Sequence, residues 1–117
     1  TDAMAAAGLG DGKYELLDHE VFVKNGAAKQ ANGTIAGSAA TMIQCVRNTV
    51  QVVGAPLPEA IRMASLNPAR ALRLDHRHGI LEVGREASLV VLDPDLAVAM
   101  TFVRGQPVYT TDRMVMK

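Results

Sequence analysis

Residues 79–94 read Gly79-Ile80-Leu81-Glu82-Val83-Gly84-Arg85-Glu86-Ala87-Ser88-Leu89-Val90-Val91-Leu92-Asp93-Pro94. Leu89–Leu92 is an unbroken apolar run of strand length, stopped by the turn residues Asp93-Pro94-Asp95. Such a run is the mark of a strand buried on both faces, so a strand is predicted over Ser88–Asp93. Downstream, Val98–Arg104 and Pro107–Thr110 predict a hairpin across Gly105-Gln106, where glycine in first place suits a type II′ turn.

Upstream the apolar spacing changes to the helical period. Ala39–Val53 is predicted as a helix, with Ser38 as its cap. Met42, Val46, Val50 and Val53 fall on one face, and Gln44, Arg47, Asn48 and Gln51 on the other. Gly54 and Pro56 end it. A second helix is predicted from near Pro58 with Leu57, Ile61 and Ala64 inward. Asn67-Pro68 restarts a short third helix through Leu72, with Asn67 as cap. Nearer the start, residues 1–12 read as a loop with glycines at 8, 10 and 12. Tyr14–Leu17 and Glu20–Lys24 predict strands around a turn at Asp18-His19. Asn25-Gly26 and Asn32-Gly33 are further turns, and Thr34–Gly37 is extended. The order along the chain is a loop and strands, then helices, then a β tail.

The 117 residues suffice for one modest domain or part of a larger one. A complete (β/α)₈ barrel needs about 250, so a whole barrel does not fit. Nearly half the residues are apolar, which suits a packed core. With two Tyr, two Phe and no Trp, packing rests on Ala, Val, Leu, Ile and six Met. Twelve basic residues balance twelve acidic ones. No basic stripe or aromatic–basic interleaving points to nucleic acid. A lone cysteine, Cys45, forms no internal disulfide. No apolar run approaches a membrane span and no signal peptide is visible, so the expected compartment is the cytoplasm.

Four motifs carry candidate chemistry. Asp2 lies in Thr1-Asp2-Ala3-Met4; a carboxylate at the C-terminal end of a barrel strand could move a proton between a metal-bound water and a leaving amine. Taken alone, a terminal Asp reads more readily as solvated or as a cap. Asn32-Gly33-Thr34-Ile35-Ala36-Gly37-Ser38 offers small residues that admit a ligand to the backbone, or equally a tight turn with an N-cap. Gly8-Leu9-Gly10-Asp11-Gly12 lacks the Gly-Lys-Ser/Thr ending of a phosphate loop and reads as a mobile loop. His76-Arg77-His78 resembles a metal pair, but two His at this spacing share a face only on a strand, so it reads as a surface connection. His19 reads as a solvated turn residue and Cys45 as a small core residue.

In order and with these gaps, the pieces resemble the N-acetylglucosamine-6-phosphate deacetylases of the amidohydrolase superfamily. The matching residues are 1–4, Gly12-Lys13-Tyr14-Glu15-Leu16, 32–38, Thr41-Met42, Val46-Arg47-Asn48, Ala64-Ser65-Leu66-Asn67-Pro68-Ala69-Arg70-Ala71 and Gly79–Pro94. The last is shared across the superfamily; Thr-Asp-Ala with Gly-Thr-Ile-Ala-Gly-Ser points to the deacetylases. The resemblance implies the class α/β, with the C-terminal fragment of a (β/α)₈ barrel over residues 1–78, then returning strands of a small β-sandwich over 79–117. It implies hydrolysis of the acetamide of N-acetylglucosamine 6-phosphate to glucosamine 6-phosphate and acetate. Asp2 matches the family's catalytic aspartate, and Ile35, Ala36 and Gly37 match a stretch that contacts the sugar. It also implies a divalent metal, zinc or iron, whose Glu and His ligands lie outside these 117 residues. A homodimer acting on a small amino-sugar phosphate, with no nucleic-acid or membrane partner, is expected of the full-length parent, and inactivity of the fragment alone. Departures from the pattern are Ser88 in place of an Asp, Arg73 in place of a Gly, and Asp18-His19 where glycines are usual. The rivals are another amidohydrolase, dihydroorotase-like or D-aminoacylase-like, a non-catalytic scaffold of the same fold, and an autonomous small β/α domain.

Overall fold

The computed structural model describes residues 1–16 and 19–112, which divide into two compact units, residues 1–45 and 46–117. The first unit is built on a four-stranded antiparallel sheet in sequence order: β1 (Gly12–Leu16), β2 (His19–Lys24), β3 (Ala27–Gln30) and β4 (Ile35–Ser38). Period-2 alternation sends one side of each strand inward. Val21 and Val23 of β2 are buried beside Ala28 of β3, and Tyr14 and Leu16 of β1 pack against them. The opposite side carries Lys13 paired with Phe22, which is itself paired with Lys29, and an ion pair joins Lys13 to Glu20.

Three expectations change here. His19 lies within β2, opposite Leu16, and is exposed as expected; Asp18 lies outside the described residues. Ala27–Gln30 is a strand although Ala-Ala-Lys-Gln has little intrinsic β preference; pairing with β2 on one side and β4 on the other overrides it. The segment before β1 is not a plain loop. Met4 and Ala6 are buried in the core of this unit, and turns close through Ala7 N–H to Met4 O (2.9 Å) and Leu9 N–H to Ala6 O (3.1 Å).

Helix α1 spans Met42–Gln51. Its start is fixed by Thr41 and not by Ser38. Gln44 Oε1 accepts the Thr41 backbone N–H at 2.8 Å and its hydroxyl at 3.1 Å, while Thr41 Oγ1 receives Gln44 N–H at 3.4 Å. This reciprocal pair is a capping box, readable as Thr-x-x-Gln. Ser38 is unavailable because its backbone is committed to the sheet; its hydroxyl accepts Ala40 N–H at 3.0 Å. Of the expected apolar face, Val46 is buried, whereas Met42 and Val53 are exposed.

In the second unit α2 (Leu57–Ala64) and α3 (Leu66–Ala71) share Ser65 as junction. The third helix therefore starts one residue before Asn67, and Pro68 sits within its first turn, where a missing N–H costs nothing. Ala60 and Ala69 are buried, but Leu57 and Ile61 remain partly exposed. The three-stranded antiparallel sheet β5 (Leu89–Leu92), β6 (Val98–Val103) and β7 (Gln106–Thr110) follows. Asp93 builds the turn after β5, its Oδ1 accepting Asp95 N–H (3.0 Å) and Ala97 N–H (2.8 Å). The Arg47 guanidinium donates through Nε to Leu96 O at 2.9 Å. Val103 pairs with Gln106, so the hairpin loop is Arg104-Gly105, with φ of 50° and 79°. Two left-handed residues make the type I′ form and not II′. Nor is β5 buried on both faces: Val90, paired with Thr101 of β6, is 52% exposed.

Candidate functional site

The first unit brings Asp2 beside β4. Ser38 N–H donates to Asp2 O at 3.0 Å and Met4 N–H donates to Ser38 O at 2.9 Å, giving a parallel bridge between Ala3 and Ser38. Strand β4 thus has β3 on one edge and residues 2–4 on the other. Parallel neighbours need a long connection, and here the antiparallel run β1–β3 supplies it. Asp2 is exposed and holds φ at 53°, a left-handed value that Asp tolerates better than most residues.

On β4, Ile35 is 76% exposed and Ala36 packs against the core. Gly37 has φ of 132°, and a Cβ there would lie 3.2 Å from Met4 Cβ and 3.7 Å from Asp2 O. The absent side chain is what lets the two strands lie together at this point. The turn before β4 is held by Asn32 Oδ1 accepting Thr34 N–H at 3.0 Å. The 32–38 motif is therefore turn followed by strand. No helix N-terminus opens at Ser38, and its N–H is spent on Asp2 O.

Of the four residues singled out from the sequence, the structure brings the backbone of Asp2 beside Gly37, while Ile35 and Ala36 lie earlier on the same strand. It does not bring histidines to them. His76-Arg77-His78 lies in the turn after α3, where Arg77 and His78 N–H both donate to Leu74 O at 3.0 Å. His76 is exposed and His78 partly buried. Cys45 is partly buried on α1. Among the described residues no three His, Cys, Asp or Glu side chains converge as a metal site. No helix here is long and apolar enough to cross a membrane.

Charge is concentrated in the second unit at Glu86, which sequence reading passed over. The hydroxyl of Ser88 and the guanidinium of Arg77, with smaller contributions from His78 and Arg104, hold its carboxyl below the ordinary carboxylate value. Nothing in spacing announces this group, because its partners lie 2, 9 and 18 residues away along the chain.

The family model described as "Amidohydrolase family" matches residues 14–108. The chain belongs to the amidohydrolase family. Among curated relatives, an N-acetylgalactosamine-6-phosphate deacetylase of Escherichia coli is 45% identical over 106 residues, covering 91% of this chain and 28% of that protein. The crystal structure of N-acetylglucosamine-6-phosphate deacetylase from Pasteurella multocida superposes with a TM-score of 0.86 at 42% identity, over 92% of this chain and 28% of that one. The Mycobacterium smegmatis enzyme, solved as a variant in complex with N-acetyl-D-glucosamine-6-phosphate, gives 0.78 at 44% identity, over 92% and 29%. This amidohydrolase chain spans from 26% to 64% of the length of the curated relatives it matches.

Proposed function

We propose that this amidohydrolase chain is the C-terminal part of an N-acetylglucosamine-6-phosphate deacetylase, in which Asp2 moves the proton and Ile35, Ala36 and Gly37 line the sugar. The observation that supports it is the backbone bond from Ser38 to Asp2, which puts the carboxylate-bearing residue and the small-residue strand side by side. Residues 1–78 are then the last segments of a (β/α)₈ barrel, with residues 2–4 and β4 as adjacent parallel strands. Residues 79–117 are the returning strands of a β-sandwich. The full-length enzyme works as a cytoplasmic homodimer.

An acetamide is a weak electrophile and its amine a poor leaving group. Water must lose a proton as its oxygen attacks the acetyl carbon, and the nitrogen must gain one as the C–N bond breaks. A single carboxylate beside the bond can do both in turn, base first and acid second. Asp2, exposed at the start of a strand, is free to take that proton and hand it on. The divalent metal of the family, zinc or iron, would polarise the water and carbonyl from ligands outside this chain. A second sugar, N-acetylgalactosamine 6-phosphate, is kept in view by the 45% identity to a deacetylase named for it.

The test is Asp2→Asn in the full-length enzyme, assayed on both sugar phosphates. Asn keeps the shape and loses the proton transfer, so kcat falls by about 10²–10⁴ while substrate still binds. Near-normal turnover by a folded, metal-loaded Asp2→Asn enzyme would sink the assignment.

A further inference from the structure

Glu86 lies in the connection between α3 and β5. Its backbone N–H donates to Arg77 O at 3.1 Å. Its side chain is 18% exposed, and its two oxygens serve different segments. Oε1 accepts the Ser88 hydroxyl at 2.8 Å, at the entry to β5. Oε2 accepts Arg77 Nη2 at 2.8 Å, from the turn after α3, and has Arg104 Nε at 3.7 Å, from the β6–β7 turn. The arrangement is closed by Arg104 N–H to Ser88 Oγ (3.1 Å) and Gly105 N–H to Ala87 O (2.8 Å). One carboxylate therefore joins the turn after α3, the entry to β5 and the β6–β7 turn.

We infer that Glu86 is an acid-releasable clasp, holding the connection 76–88 to the β5–β7 sheet while ionised and letting it go when protonated. The groups facing it are cationic (Arg77, Arg104 and His78), apart from the neutral Ser88 hydroxyl. Arg85 beside it is engaged by Glu82 at 2.6 Å. Protonation turns charge-assisted bonds into ordinary ones and leaves the cations without a counter-charge. The sign follows from the partners, Ser88 first and Arg77 second, which lower the carboxyl. A lowered carboxylate contributes stability that is present above its unfolded value and lost as pH falls through its folded one. The clasp is thus closed at neutral pH and opens only in acid, below the ordinary carboxylate range.

The experiment is amide hydrogen exchange by mass spectrometry on the full-length enzyme between pH 7 and 3, corrected for intrinsic rates. Peptides covering 77–88 and 103–106 should lose protection by about tenfold in acid while α2 keeps its own. Glu86→Gln should show the open state already at neutral pH, with the acid step gone. Ser88→Ala removes the leading stabiliser of the ionised form and should move the step to higher pH; Glu82→Gln should not move it. An acid step of wild-type midpoint in both Glu86→Gln and Ser88→Ala, or no step in the wild type, would overturn the inference.

Discussion

Gly37 and Met4 meet across adjoining strands so closely that a Cβ on Gly37 would stand 3.2 Å from the Met4 Cβ. Since Met4 follows Asp2 by two residues, any side chain at 37 presses on the segment that carries the proposed proton carrier. Gly37→Ala also meets an unfavourable φ of 132°. In the full-length enzyme it should cost about 1–3 kcal/mol of stability and lower kcat/KM. Thermal unfolding and steady-state kinetics read the two effects. An unchanged midpoint with unchanged kinetics would show that the strands tolerate separation.

Gly79 has the tightest approach found at any glycine described here. A Cβ there would lie 2.8 Å from Leu66 Cα and 3.2 Å from Ala69 Cβ, at φ of 99°. Backbone cannot move aside as a side chain can, so strain and overpacking add. Gly79→Ala should cost roughly 2–5 kcal/mol in urea unfolding. Gly84→Ala has a similar φ of 88° with nothing within 4 Å, and isolates the backbone part at about 1–2 kcal/mol. Equal losses at the two sites would refute the packing argument.

His76 and His78 sit in a turn with no acidic or thiol neighbours arranged as a metal site among the described residues. Replacing both with Ala in the full-length enzyme should leave metal content and turnover nearly unchanged. Loss of metal, measured by elemental analysis, would make them ligands.

The 117 residues by themselves should give no deacetylase turnover and bind no stoichiometric zinc or iron. Leu81, Val83, Val52 and Val53 are strongly exposed, so the chain should also associate at raised concentration. Turnover together with one metal per chain would contradict the proposed division of labour.

The candidate site was legible as residues but not as an arrangement. Asp2 and Ile35-Ala36-Gly37 stood out through family resemblance, yet their adjacency depends on the Ala3–Ser38 bridge, a pairing that no local pattern encodes. Helices were found because a 3.6-residue period survives in one sequence, while their ends were set by the Thr41–Gln44 box and the Ser65 junction. Strand β3 was missed because pairing on both edges, and not composition, makes Ala27–Gln30 extended. The II′ turn expected at Gly105-Gln106 moved back one residue because register with β6 fixes which residues are central. Val90 was expected inside because an apolar run reports what a strand can bury, not what covers it.

The route by which Ala3 reaches Ser38 bears on how this unit assembles. Closing a flexible loop of that length by random search is costly, and parallel pairing forms slowly for that reason. The intervening residues include three antiparallel ladders between strands close in sequence, and hairpins form in about 1–10 μs. Each ladder that zips shortens the slack between the two ends. The antiparallel run thus acts as a reel, delivering Ser38 to Ala3, and variants that weaken the Lys24–Ala27 turn should slow refolding of residues 2–4 more than they speed unfolding.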